Sequence, residues 1–268
     1  MPDDSWKRAA SKTLLAMLAV APGHSMGRFE LVEALWPGTD FSRGKESLYS
    51  ALSSLRKALG QRGSGVRYIV GEAGRVRLSE DCVSVDVDQF MEKMNFVAAG
   101  GSDAALVERC VELSGEYRGG IVPLASDANG MFRRCREELS RRYSDALVLG
   151  AEAALRMHDA RRATWLAHAA AAETPLREDV EASLLRALVA DGRGMEAVER
   201  YADYARRMVT EVGQPPSGKL RNLCRELGVE AGESGAATVR ASAANVFASA
   251  PAACVGVGAA PEADAPTR

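Results

Sequence analysis

No C-x-x-C pair occurs in this sequence, and no cysteine and histidine stand at zinc-finger spacing. The five cysteines (Cys82, Cys110, Cys135, Cys224, Cys254) are odd in number and scattered. That argues against a disulfide framework or a structural zinc site and for reduced thiols in the cytoplasm. Histidine is scarce as well. His158 and His168 lie ten residues apart rather than four, which denies them a shared helical face for a metal, and His24 sits at a turn. No serine stands in a nucleophile-elbow pattern. Asp86 and Asp88 make a D-x-D pair without a third carboxylate nearby, so their expected work is capping the helix that follows. No run approaches the ~18 apolar residues that span a bilayer. Catalysis, metal, cofactor and membrane are therefore all absent from the expectation.

What remains is an ordinary soluble composition. Of 268 residues, 47% are apolar and 26% charged, enough for one or two domains, and the net charge is −2. One stretch imitates a signal peptide: Lys7, Arg8 and Lys12 precede TLLAMLAV, and Ala19-Val20-Ala21 resembles a cleavage site. Acidic Asp3 and Asp4 and the following Pro22 argue against it, and the stretch continues into a helical pattern. A second imitation is G-x-x-x-x-G-K at Gly213 to Lys219. A working P-loop follows a strand, whereas amphipathic helix precedes this one; Pro215 and Pro216 lack N–H groups, and Leu220 replaces the magnesium-binding Ser/Thr. Helix stop at Gly213 and N-cap at Ser217 is the better reading.

The chain divides by periodicity. Helices are expected at 5–21, 27–35 and 42–59, ended by Pro22-Gly23, Pro37-Gly38 and Gly60. VRYIV and RVRLS then alternate around GEAG as a hairpin. From Asp88 onward everything is helical: 88–98, 103–114, 129–157, 160–173, 177–190, 194–211 and 217–227. Ala163 and Ala197 sit 34 residues apart at equivalent positions, and ALRMHDARRA resembles ALVADGRGMEA, a tetratricopeptide-like period. Trp165, Tyr201 and Tyr204 read as packing residues, and Trp36 as an anchor for the second helix. Beyond about 229 small residues dominate, and a disordered tail is expected.

Three helices and a hairpin follow winged-helix order. On the third helix Leu48, Leu52, Leu55 and Leu59 share one stripe, which must face the core. The opposite side then carries Arg43, Glu46, Ser50, Ser53, Ser54 and Lys57, with Lys45, Tyr49 and Arg56 beside them. Between Phe41 and Leu78 eight bases (Arg43, Lys45, Arg56, Lys57, Arg62, Arg67, Arg75, Arg77) face two acids, Glu46 and Glu72. Arg75 and Arg77 share one face of their strand. Such a helix can enter a major groove while the wing at 67–78 meets backbone phosphate. The bland counterpart is a small bundle with a solvated face.

LLAMLAVAPGHSMGRFELVEALWPG, SLYSALSSLRKALG and the Tyr-Ile-Val strand resemble the winged helix of OmpR-type regulators. VDVDQF and the run from PLREDVEASLLRALVADGR to KLRNLCREL resemble a bacterial transcriptional activator domain. Together they are similar to Streptomyces antibiotic regulatory proteins over roughly residues 13–227. The resemblance implies a mainly α fold: a winged helix-turn-helix at 5–80, an α-helical tetratricopeptide-like activator domain at 84–228, and a tail at 229–268. It implies sequence-specific binding of double-stranded DNA and transcription activation. RNA polymerase and a second copy of the chain on DNA are the further candidate partners. OmpR-type domains carry a four-stranded sheet ahead of the first helix, and here only about a dozen residues precede it, so that sheet is expected to be missing. The alternative reading is a protein-interaction adaptor whose shortened winged helix no longer binds DNA.

Overall fold

The computed structural model describes residues 9–119 and 130–229. Expectations for the first eight residues, for any sheet ahead of them and for the tail fall outside the described residues. Among the described residues no helix is long and apolar enough to cross a membrane.

The first helix, α1 (Ala9–Val20), buries Leu14, Met17 and Leu18; the apolar run that imitates a signal peptide is core helix. A short strand follows that the sequence pattern did not reveal, β1 (Ser25–Gly27). Then come α2 (Arg28–Leu35), α3 (Phe41–Ala58), the single turn α4 (Gln61–Ser64), β2 (Ile69–Glu72) and β3 (Arg75–Leu78). The three strands form one antiparallel sheet in the order β1-β3-β2, with Met26 opposite Val76 and Val70 opposite Arg77. Only three residues long, β1 has too little alternation to be read as a strand without its partner.

Caps fix the helix boundaries. Glu30 accepts from the Gly27 N–H at 2.8 Å at the start of α2, and Asp40 accepts from the Ser42 N–H at 2.9 Å at the start of α3. Gly60, at φ 67°, ends α3 in the left-handed conformation that glycine adopts at no steric cost. Trp36 packs partly buried against the winged-helix core.

The second half is an array of antiparallel helices: α5 (Asp86–Ala98), α6 (Asp103–Glu116), α7 (Met131–Arg156), α8 (Ala160–Glu173), α9 (Glu178–Ala190), α10 (Gly194–Arg207) and α11 (Gly218–Leu227). A π turn over Met208–Val212 extends α10 to Gly213. The first of these helices starts earlier than expected. Asp86 and Asp88 lie inside its first turn and Val85 is the cap residue, so neither carboxylate serves as an N-cap. Instead Asp86 Oδ1 accepts from the Val87 N–H and Asp88 pairs with His24 at 2.7 Å.

The repeat is real at the level of hydrogen bonds. His158 N–H donates to Leu155 O and Asp159 N–H to Ala154 O; 34 residues later Gly192 N–H donates to Val189 O and Arg193 N–H to Leu188 O. Both His158 (φ 59°) and Gly192 (φ 76°) are left-handed, as this helix ending requires. Buried alanines, among them Ala154, Ala163, Ala167 and Ala197, let neighbouring helices close up. Tyr204 is buried and donates to Leu176 O at 3.1 Å. Trp165 departs from expectation: it is 47% exposed on the outer face of α8 rather than packed.

The two halves share α7. Its residue Phe132 is buried in the winged-helix core, while Leu139 to Leu155 belong to the helical core. The His24–Asp88 pair makes a second tie between them.

Two side chains carry weight beyond their size. A Cβ at Gly44 would lie 2.2 Å from Val32 Cγ1, and a β-branched neighbour has little freedom to move aside. Gly44→Ala should cost about 1–3 kcal/mol, read as a lower midpoint in denaturant with an unchanged slope. In the helical half, Glu181 is 1% exposed and receives both Nε and Nη2 of Arg200, at 2.8–3.1 Å. Burial nonetheless holds its carboxyl above the usual range, against the opposing pull of Arg200. A folded value above the unfolded one means a contribution that is full at low pH and lost as pH rises through the raised value. Arg200→Ala removes the opposing charge and should cost about 3 kcal/mol at neutral pH. Its thermal midpoint should fall more steeply than the parent's as pH rises above the usual carboxylate range.

Candidate nucleic-acid interface

Helix α3 turns Leu48, Ala51, Leu52 and Leu55 inward. Its other side is open: Arg43, Lys45, Glu46, Tyr49, Ser50 and Lys57 are exposed, and Ser53, Ser54 and Arg56 are half-buried. The helix packs on α1, α2 and α4, behind that polar side. The C-terminal helices meet the winged helix elsewhere, through α7 against α1.

A cationic seam joins this helix to the wing. Arg28, at the first position of α2, sends Nη1 to the Tyr49 hydroxyl at 3.4 Å, and its guanidinium carbon lies 5.7 Å from the Tyr49 ring centre. Lys45 Nζ lies 5.9 Å from the same centre. Arg56 reaches from α3 to Ile69 O at 3.5 Å. Gln61 completes that strand edge, accepting from Ile69 N–H at 3.0 Å. Both guanidinium groups end beside Gly71, where a Cβ would stand 3.5 Å from Arg28 Nη2 and 3.9 Å from Arg56 Nη2. The Nε atoms of Arg28 and Arg56 are buried without a hydrogen-bond partner. Two half-desolvated guanidinium groups with spare donors, one glycine apart, are suited to an oxyanion with several acceptor oxygens.

The wing residues differ in state. Arg77 is half-buried on the face opposite buried Val76 and Leu78. Arg75 is exposed but folded back: Nε donates to Ser25 Oγ and Nη2 to Ser25 O, each at 2.9 Å. The hairpin turn is pinned from the other side by the Arg28 N–H, which donates to Gly74 O at 3.0 Å. Arg28 was missed by the sequence reasoning. A base at a helix start, where the dipole favours acids, was the signal that could have found it. The Gly213–Lys219 stretch is a joint: Gly213 (φ 78°) ends one helix, and Ser217 Oγ caps the next by accepting from the Leu220 N–H.

A winged helix with an open third helix, continued into a repeat of helical hairpins, defines a two-part protein of the bacterial regulator architecture. The family model for the bacterial transcriptional activator domain matches residues 85–228, and the chain belongs to that family. Its layout is that of the Streptomyces antibiotic regulatory proteins. It is similar to the regulatory protein AfsR of Streptomyces griseus, 28% identical over 221 residues. That match takes in 79% of this chain but 21% of AfsR, so the chain spans about a fifth of that relative's length. Its fold is similar to that of Mycobacterium tuberculosis EmbR, solved in complex with a low affinity phosphopeptide. The TM-score is 0.65 at 24% identity, over 84% of this chain and 60% of EmbR.

The wing offers a local test of the geometry. Glu72 pairs with Arg75, leaving a two-residue turn of Ala73 (φ 45°) and Gly74 (φ 79°). Positive φ at both positions is the type I′ requirement, which asparagine tolerates better than alanine. Ala73→Asn should therefore stabilise the fold by about 0.5–1 kcal/mol, measured as a raised midpoint in urea.

Proposed function

We propose that the chain is a sequence-specific DNA-binding transcription activator that reads the major groove with α3 and meets backbone phosphate around the wing. The observation that carries this reading is the open polar side of α3, continuous through Arg28, Tyr49 and Arg56 with the wing. Arg43, Lys45, Glu46, Ser50 and Ser53 are the groups assigned to base edges or to the phosphates flanking them. Lys57, Arg56, Arg77 and the added Arg28 are assigned to phosphate. Arg75 has a lesser part, since two of its nitrogens already hold Ser25. This is the work of a regulator and not of an enzyme. Recruitment of RNA polymerase and side-by-side binding of two copies belong to the same reading, with the helical half as the contact.

Titration of the chain against mixed genomic DNA in gel-shift experiments, at low and moderate salt, tests the proposal. Binding should weaken steeply with salt. Arg28→Ala and Lys57→Ala should each lower the salt slope by about 0.9 and weaken all sequences alike. Arg75→Ala should change the slope less than either. Selection from a random duplex pool should yield a motif, and Arg43→Ala should alter it. Absence of binding at low salt would remove the proposal and leave the adaptor reading, in which the helical half works alone.

A further inference from the structure

Helices α7, α9 and α11 enclose a cavity of about 620 Å³ with an apolar floor of Val148, Leu149, Leu220 and Leu223. Because α7 and α9 hold equivalent places in successive hairpins, residues 34 apart line it in matched pairs: Asp145 with Asp179, and Glu152 with Arg186. These two pairs are separated by seven residues along each helix, about 10 Å. Their states differ.

At the first pair every charge is engaged. Arg177 bridges Asp145, at 2.7 Å, and Asp179, while Glu178 accepts from the Ser217 N–H at 2.6 Å. At the second pair, Glu152 and Arg186 act on each other through space. Neither forms an ion pair or a side-chain hydrogen bond among the described residues. Arg186 Nε is buried with no acceptor. Burial pushes the Glu152 carboxyl above the usual carboxylate range, more strongly than Arg186 and Arg156 pull it down. A desolvated carboxylate and a desolvated guanidinium left unpaired each cost free energy that a correctly placed partner would return. Adjacent repeats have thus placed an acid and a base at one register position, facing one cavity and too far apart to satisfy each other.

We propose that this cavity binds a small apolar zwitterion of dipeptide size, its ammonium on Glu152, its carboxylate on Arg186 and its side chains on the leucine floor. A simple cation or anion would satisfy one end and leave the other unpaired; opposite charges on one small molecule satisfy both. The volume falls within the roughly 300–1,000 Å³ of small-ligand sites. Lys219, exposed on the first turn of α11, also lines the cavity. A ligand held there touches three helices at once and so ties α11 to the first repeat. The site lies wholly in the helical half and does not depend on DNA recognition by α3.

Calorimetric titration of the full chain with leucyl-tryptophan tests the assignment. One site is expected, weakened about tenfold or more by Glu152→Gln and by Arg186→Gln. The same dipeptide acetylated at its amine and amidated at its carboxyl keeps the apolar body and loses both charges; it should bind weakly to the parent chain. The double exchange Glu152→Arg with Arg186→Glu should recover affinity lost in the single variants, because a facing acid and base are restored in reverse order. Melting curves check folding, and neither group has a fixed partner whose loss would unfold the chain. Should a variant melt lower, the blocked dipeptide on the parent chain decides alone. Equal affinity for blocked and free dipeptide, or no binding of the free one, would overturn the proposal.

Discussion

The winged helix depends on a missing methyl group. Gly44 lets the first turn of α3 lie directly on Val32 of α2, at a distance no side chain could occupy. That contact sets the angle between the two helices. The leucine stripe of α3 then reaches the core while its polar side stays out, and the start of α2 lies within reach of Tyr49. The seam formed by Arg28, Tyr49 and Arg56 is a consequence of that close approach and not of any local motif. A larger residue at position 44 would tilt the helix and separate its charged side from the wing.

A second constraint is that the halves are not independent beads. Phe132 of α7 sits in the winged-helix core, and the same helix runs on through Leu139, Leu147 and Leu155 as the central rod of the helical half. The His24–Asp88 pair repeats the connection beside it, from the turn after α1 to the first turn of α5. The helical array therefore rests on α1, which lies behind α3 and away from its open side.

Repetition explains both the stability of the helical half and its oddities. The paired helix endings at His158 and Gly192 show one hairpin plan used twice. The plan tolerates a left-handed histidine where glycine stands 34 residues later. It also brings Glu152 and Arg186 to matched positions without bringing them together. Gly150 serves the packing much as Gly44 does in the winged helix: a Cβ there would lie 2.6 Å from Cys110 Sγ, so α6 and α7 touch backbone to side chain.

The order of the long helices, the inward leucines of α3, the hairpin, the 34-residue period and the Gly213–Ser217 joint were all legible from the chain. Each is a local pattern of apolar spacing, glycine and capping residues, readable within one or two turns. The strand Ser25–Gly27 was not legible, because three residues become a strand only beside Arg75–Arg77. Arg28 was hidden because its partners, Tyr49 and the edge at Gly71, are distant in sequence and adjacent only after folding. For the same reason Asp88 looked like a cap and proved to be a tie, and Arg75 looked free and is held by Ser25. Sequence alone determined which side of each helix is apolar, since that is a property of spacing. Tertiary structure decided which charges meet and which stay unpaired, since that depends on distances between elements that no local pattern encodes.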